Sequence, residues 1–203
     1  MRQWFSRGDF VMTIDIDWCD PSYLLQGNER QRKAYTVLTE LDIFNQLKRY
    51  DPILVGTIPL AIDIPGSDLD VICEVYDLDE YEDGLKRKFG HMSEFDCWHT
   101  FRQMPSVVAS FQADEFAIEI FGQGQPTRQQ NAYRHMVIEA RILSLGNELL
   151  RGEIRRLKAA GLKTEPAFAE ILSLSGDPYD QLLALEMRSN ADLRDMLPSE
   201  FVE

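Results

Sequence analysis

Cysteine is scarce in this chain. The three present, Cys19, Cys73 and Cys97, are odd in number and lack C-x-x-C spacing, which excludes a disulfide framework or a zinc ribbon as the source of the fold. Histidine is equally rare at three residues. His91 and His99 flank Cys97 and read as ordinary loop or core residues. Basic side chains are outnumbered, 21 against 34 acidic ones, for a formal net charge of -13. A long nucleic-acid duplex would be repelled unless a local basic groove changed the field, so nucleic acid is not expected as a partner. Long apolar runs are missing too. The opening "MRQWFSRGDFVMTIDIDW" is broken by Arg7, Asp9, Asp15 and Asp17, so neither a leader nor a membrane span is expected, and a cytoplasmic location is. No repeat or low-complexity tract is visible.

What is present is a globular composition, 44% hydrophobic over 203 residues, enough for a real core in one domain or two small lobes. Residues 1–22 read as a strand or an arm, with the acidic pair of "IDID" exposed. From Asn28, a cap residue, the stripe Leu38, Leu41, Phe44 and Leu47 predicts one helix that closes at Pro52. "ILVG" reads as a short buried strand ending at Gly56. The next strand, "DLDVICEVY", puts Asp68, Asp70, Ile72 and Glu74 on one face and Leu69, Val71, Cys73 and Val75 on the other. Cys73 there is a small buried hydrophobe. "DLDEYEDGLKRKFG" predicts a short helix, and "SVVASFQ" with "EFAIEIFGQ" a hairpin. After Gln125 the chain reads as all helix, with Gly146 and Gly152 as break or kink points and further starts at "TEPAFAEILSL", "DPYDQLLALEM" and "NADLRDML". These divide into an arm (1–22), an α/β domain (23–125) and a helical region (126–203).

Two carboxylates on one strand face are costly to leave facing each other, because like charges at that range raise a pKa or demand a cation. Mg²⁺ suits Asp68 and Asp70: it takes hard oxygen ligands and is commonly completed by substrate phosphates. Glu119, a charge between Ile118 and Ile120, is the candidate third carboxylate, which would extend the site to two ions. Gly56 lets backbone amides approach an anion, and the Thr57 hydroxyl can donate to a phosphate. Arg134 and His135, near a helix start, are either a phosphate site or a solvated Arg beside a structural His. Lys163 either complements a helix C-terminus or reaches back to a phosphate. Arg151, Arg155, Arg156 and Lys158 read as a solvated basic stripe.

Gly56-Thr57, the twelve positions to Asp68, "PGSDLD" with its Ser67, and the later Glu-bearing strand resemble the signature of the nucleotidyltransferase superfamily. Together with "QNAYRHM" and "GLKTEPAFAEIL", the longer run resembles a bacterial family of unknown function within it. The resemblance implies an α/β (α+β) fold, with a mixed β-sheet lobe and a C-terminal helical lobe closing over the site. It implies Mg²⁺ or Mn²⁺ at Asp68, Asp70 and Glu119, and a nucleoside triphosphate held by Gly56, Thr57, Ser67, Arg134, His135 and Lys163. The expected activity is transfer of a nucleotide, such as that of ATP, to a small-molecule or protein hydroxyl. The connection "IPLAIDI" departs from the family, since many relatives carry basic residues there. That departure leaves open an inactive nucleotide-binding or regulatory module, and the helical tail leaves open a protein-interaction partner such as one half of a toxin and antitoxin pair.

Overall fold

The computed structural model describes residues 16–101 and 103–202; residues 1–15 of the expected N-terminal strand or arm, 1–22, lie outside them, with the first two residues of "IDID", whereas Asp17 is described and exposed. A 3-10 turn over Pro21–Gln26 leads into α1, Glu29–Glu40. Asn28 caps α1 as expected, its side chain accepting from the Gln31 amide while the Gln31 side chain accepts from the Asn28 amide, a reciprocal box that satisfies two orphan donors. The helix does not run on to Pro52. Asp42 adopts a left-handed conformation with φ 51°, and the stripe continues in α2, Ile43–Gln46, and a 3-10 turn, Lys48–Tyr50. The break lets Ile43 and Leu47 both reach the core, each almost fully buried.

Five strands form one mixed sheet: β1 (Ile53–Val55), β2 (Leu69–Glu74), β3 (Ser93–Phe101), β4 (Pro105–Ala113) and β5 (Phe116–Gln123), ordered β1-β2-β5-β4-β3. Only β2 and β5 pair in parallel. The crossover between them holds α3, Leu78–Phe89, and the β3–β4 hairpin. Period-two alternation divides the side chains between two cores. Leu69, Val71, Cys73, Ile118 and Ile120 pack with α1 and α3 on one face. Gly122 permits that contact, since a Cβ there would lie 2.4 Å from the Tyr81 ring.

Ile53, Val55, Ile72 and Phe121 pack on the other face against the C-terminal helices. Those helices are α4 (Asn131–Leu145), α5 (Glu148–Ala159), α6 (Thr164–Ile171), α7 (Pro178–Ala184) and α8 (Asn190–Asp195). Gly146 ends α4 as expected, whereas Gly152 lies inside an unbroken α5, since a single exposed glycine costs a helix only about 1 kcal/mol. Among the described residues no helix is long and apolar enough to cross a membrane.

Candidate functional site

Across the sheet, residues that face each other share a side. Asp70 on β2 is directly opposite Glu119 on β5, Glu119 is opposite Ser110 on β4, and Ser110 is opposite Asp96 on β3. At roughly 4.8 Å per strand this makes a lateral row of polar side chains on the face that carries the C-terminal helices. Asp68 stands two residues before Asp70, just ahead of β2. Burial, then Glu119 and then Asp68 push the Asp70 carboxyl up to about 7, while Lys158 and Lys163 act in the opposite direction. Asp68 is likewise raised by burial and opposed by Lys163. The mutual repulsion expected from "DLD" and Glu119 is therefore present in the fold.

Gly56 closes the site from the β1 end. Its φ is 86°, and a Cβ on it would stand 2.5 Å from Asp70 Oδ2, so any other residue type would strain the backbone and displace that carboxylate. Thr57 follows, half-buried, its carbonyl accepting from the amides of Leu60 and Ile62 and closing the turn. The connection, which carries no basic residue, is largely core material: Ile58 packs into one core and Leu60 and Ile62 into the other. Gln31 Nε2 donates to the carbonyls of Ile58 and Pro59, and Arg155 donates to Ala61. Ser67 Oγ accepts from the Ile64 amide at 3.0 Å, bracing the turn that delivers Asp68. Arg30 pairs with Asp63 at 3.0 Å and Glu115 at 3.2 Å, and donates to the Ser67 carbonyl. That clamp was not legible in the sequence.

The cations near the carboxylates come from α5 and from the start of α6. Lys163 is the N-cap residue of α6, and it acts on both Asp68 and Asp70. Lys158 corrects the solvated-stripe expectation. It is buried, donates to the Ile62 carbonyl at 2.8 Å, and is pushed down by burial against the pull of Asp63, Glu139, Glu165 and Asp70. Glu139 is also buried, and its carboxyl is raised well above the usual range by burial and then by Glu165. Of the stripe, Arg156 pairs with Glu153 on the surface.

Arg134 and His135 are not among the charges acting on Asp68 or Asp70. Arg134 makes a two-pronged ion pair with Glu186 at 2.6 and 3.0 Å. His135 is buried, its Nε2–H donating to the Tyr179 carbonyl and its Nδ1 lying 3.6 Å from Glu165. Both tie α4 to the neighbouring helices, which is the structural alternative for His135.

Among the described residues no three His, Cys, Asp or Glu side chains stand at ligand spacing for a metal ion. The donor chemistry nevertheless fits Mg²⁺, which needs only one or two carboxylates when water and phosphate complete its shell. A half-buried Asp70, raised by desolvation and then by two neighbouring carboxylates, is the arrangement a cation relieves.

No curated protein matches the chain. A Cid1 poly(U) polymerase structure, bound to Mg and 3'-dATP, is similar at 12% identity and a TM-score of 0.51, over 80% of this chain and 52% of that one. A structure of Cid1 described for its RNA terminal uridylyl transferase activity matches at 10% identity and a TM-score of 0.50, over 80% and 52%. A GLD-2/RNP-8 complex matches at 13% identity and a TM-score of 0.47, over 90% and 85%. The chain spans about half the length of the Cid1 structures. Their likeness shows the fold, a nucleotidyltransferase-like mixed sheet with helices. Over residues 36–185 the sequence matches the family described as a domain of unknown function, DUF4269, and the chain belongs to that family.

Proposed function

We propose that this protein is a Mg²⁺-dependent nucleotidyltransferase that moves a nucleoside monophosphate from a nucleoside triphosphate to a hydroxyl of a small molecule or protein. The observation that carries the reading is Asp70 opposite Glu119 across β2 and β5, with Asp68 also acting on Asp70, beside a positive-φ glycine turn. Asp68, Asp70 and Glu119 would hold Mg²⁺ or Mn²⁺, whose charge would offset that of the triphosphate. Lys163 binds the outer phosphates, supplying the positive charge that "IPLAIDI" lacks because that connection is largely buried. The Gly56–Thr57 turn offers close backbone approach and a hydroxyl donor.

In the transfer, the acceptor oxygen bonds to the α-phosphorus, the bond from that phosphorus to the pyrophosphate oxygen breaks, and the hydroxyl proton passes to Glu119. Positioning and fixed charge account for the catalysis.

The same fold serves a poly(U) polymerase, so net charge alone does not exclude RNA, and the expectation against a nucleic-acid partner is not supported. An RNA acceptor is the second reading.

Thermal unfolding with each nucleoside triphosphate, with and without Mg²⁺, tests the assignment. A ligand at about 100 times its dissociation constant adds about 2.7 kcal/mol, visible as a shift of several degrees. The expected shift requires Mg²⁺ and is lost in Asp70→Asn relative to that variant's own baseline. No shift with any triphosphate overturns the reading.

A further inference from the structure

The connection that delivers Asp68 bends through three left-handed residues: Gly56 and Gly66, both at φ 86°, and Ala61 at φ 56°. Glycine adopts that backbone freely. Ala61 carries a Cβ and does not, and such strain persists only where the surroundings over-determine it. What holds the turn comes from α5. Arg155 Nη1 donates to the Ala61 carbonyl and Lys158 Nζ to the Ile62 carbonyl, each at 2.8 Å. The two cations stand three positions apart, so one helix face meets two consecutive carbonyls. Gln31 of α1 grips the preceding stretch through the Ile58 and Pro59 carbonyls. The aspartates depend on this connection unequally. Asp70 lies inside β2, opposite Val55 on one side and Glu119 on the other, so the sheet fixes it. Pairing with β5 begins at Leu69, which leaves the place of Asp68 to the connection.

We infer that Arg155 is a positioning residue for the divalent-metal site: by holding the strained Ala61 turn, it sets where Asp68 stands relative to Asp70. This rests on the nucleotidyltransferase reading and extends its metal site to a residue of the helical lobe. Mg²⁺ demands near-ideal octahedral geometry, so a small displacement of one carboxylate is felt as lost affinity. Lys158 shares the task, but it also acts on Asp70 by charge. Arg155 is not among the charges acting on Asp68. Its hold on that carboxylate runs through the backbone of residues 61–67, which ends in the turn that Ser67 braces against the Ile64 amide. The helical lobe therefore does more than bring Lys163 to the phosphates. It sets the spacing of the carboxylates on the sheet.

Titration of the full chain with Mn²⁺ alone at pH 8, read by electron paramagnetic resonance of the free ion, tests this without any turnover. Arg155→Met keeps the aliphatic stem and removes the donor, and it is expected to weaken Mn²⁺ binding at least threefold. Arg155→Lys keeps a cationic donor and is expected to restore the wild-type affinity. Arg156→Met removes the same charge from the same helix, but from a surface pair with Glu153, and is expected to bind as wild type does. Thermal unfolding of the same samples confirms that each variant is folded at the titration temperature. A loss under threefold in Arg155→Met overturns the inference, as does an equal loss in Arg156→Met or in Arg155→Lys, and in each case Mn²⁺ binding by the wild type leaves the nucleotidyltransferase reading standing. A wild type that binds no Mn²⁺ overturns both.

Discussion

Asp70→Asn should stabilise the protein in the absence of metal and nucleotide, and the gain should depend on pH. Moving a carboxyl from its ordinary 3.8 to about 7 corresponds, at 1.36 kcal/mol per pKa unit, to on the order of 4 kcal/mol. The sign follows from proton counts. Between about pH 4 and 7 the folded protein holds a proton on this group that the unfolded chain has released, so stability falls as pH rises through that window. Above pH 7 the full cost of an ionised, half-buried Asp70 is present, and below about pH 4 it is gone. Because Glu119 and Asp68 contribute to the repulsion, the titration belongs to the three carboxylates together. Urea denaturation of wild type and Asp70→Asn at pH 8 and pH 4.5 measures the effect. The variant should be more stable by several kcal/mol at pH 8, about 10 °C in melting temperature for a chain of this size, and by only about 1 kcal/mol at pH 4.5. A variant less stable than wild type at pH 8, or a difference independent of pH, would refute the reasoning.

Gly56→Ala should destabilise by about 2 kcal/mol or more, since left-handed backbone costs a non-glycine residue roughly 1–2 kcal/mol and the new Cβ would meet Asp70 Oδ2 at 2.5 Å; equilibrium unfolding reads it, and a change under 0.5 kcal/mol would contradict the geometry. Lys158→Ala removes the partner of the Ile62 carbonyl and a cation facing four carboxylates. A loss of about 3–5 kcal/mol is expected, with a smaller loss in Lys158→Met, checked by the same denaturation. Glu139→Gln should gain stability relative to wild type as pH rises, because burial and then Glu165 raise the Glu139 carboxyl; a relative loss that grows with pH would contradict it. Arg134→Ala should leave Mg²⁺-dependent triphosphate binding within twofold, measured by calorimetry, since its guanidinium is engaged by Glu186.

Strand parity made much of the site legible. Alternation alone put Asp68 and Asp70 on one face and set Glu119 apart from Ile118 and Ile120, and the cap at Asn28 announced α1. Register was beyond it: nothing local in "IEIF" says that Glu119 sits opposite Asp70 rather than Ile72, because pairing across a long crossover is decided by global packing. The edge strand β3 carries a weak signal because its outer face is exposed and its inner face, with Phe95 and Cys97, only half-buried. In "SEFDCWHTF" the exposed Glu94, Asp96, Trp98 and His99 blur the alternation a half-buried strand would show. Lys158 was misread for a related reason, since a lysine one turn from surface arginines carries no local mark of burial. Its place follows from how α5 packs on the Ala61–Ile62 carbonyls.

The parallel pairing of β2 and β5 has a kinetic side. Asp70 and Glu119 meet only when β5 lies between β2 and β4, across a crossover that holds α3 and the β3–β4 hairpin. Closure over so long a loop belongs to the later part of folding. Repulsion that arises only on that last docking opposes completion rather than nucleation, so relieving it slows unfolding while leaving the folding rate almost untouched. The carboxylates thus act as a spring that loosens the finished sheet from within, and a bound cation would set the lifetime of the native state more than the speed of reaching it.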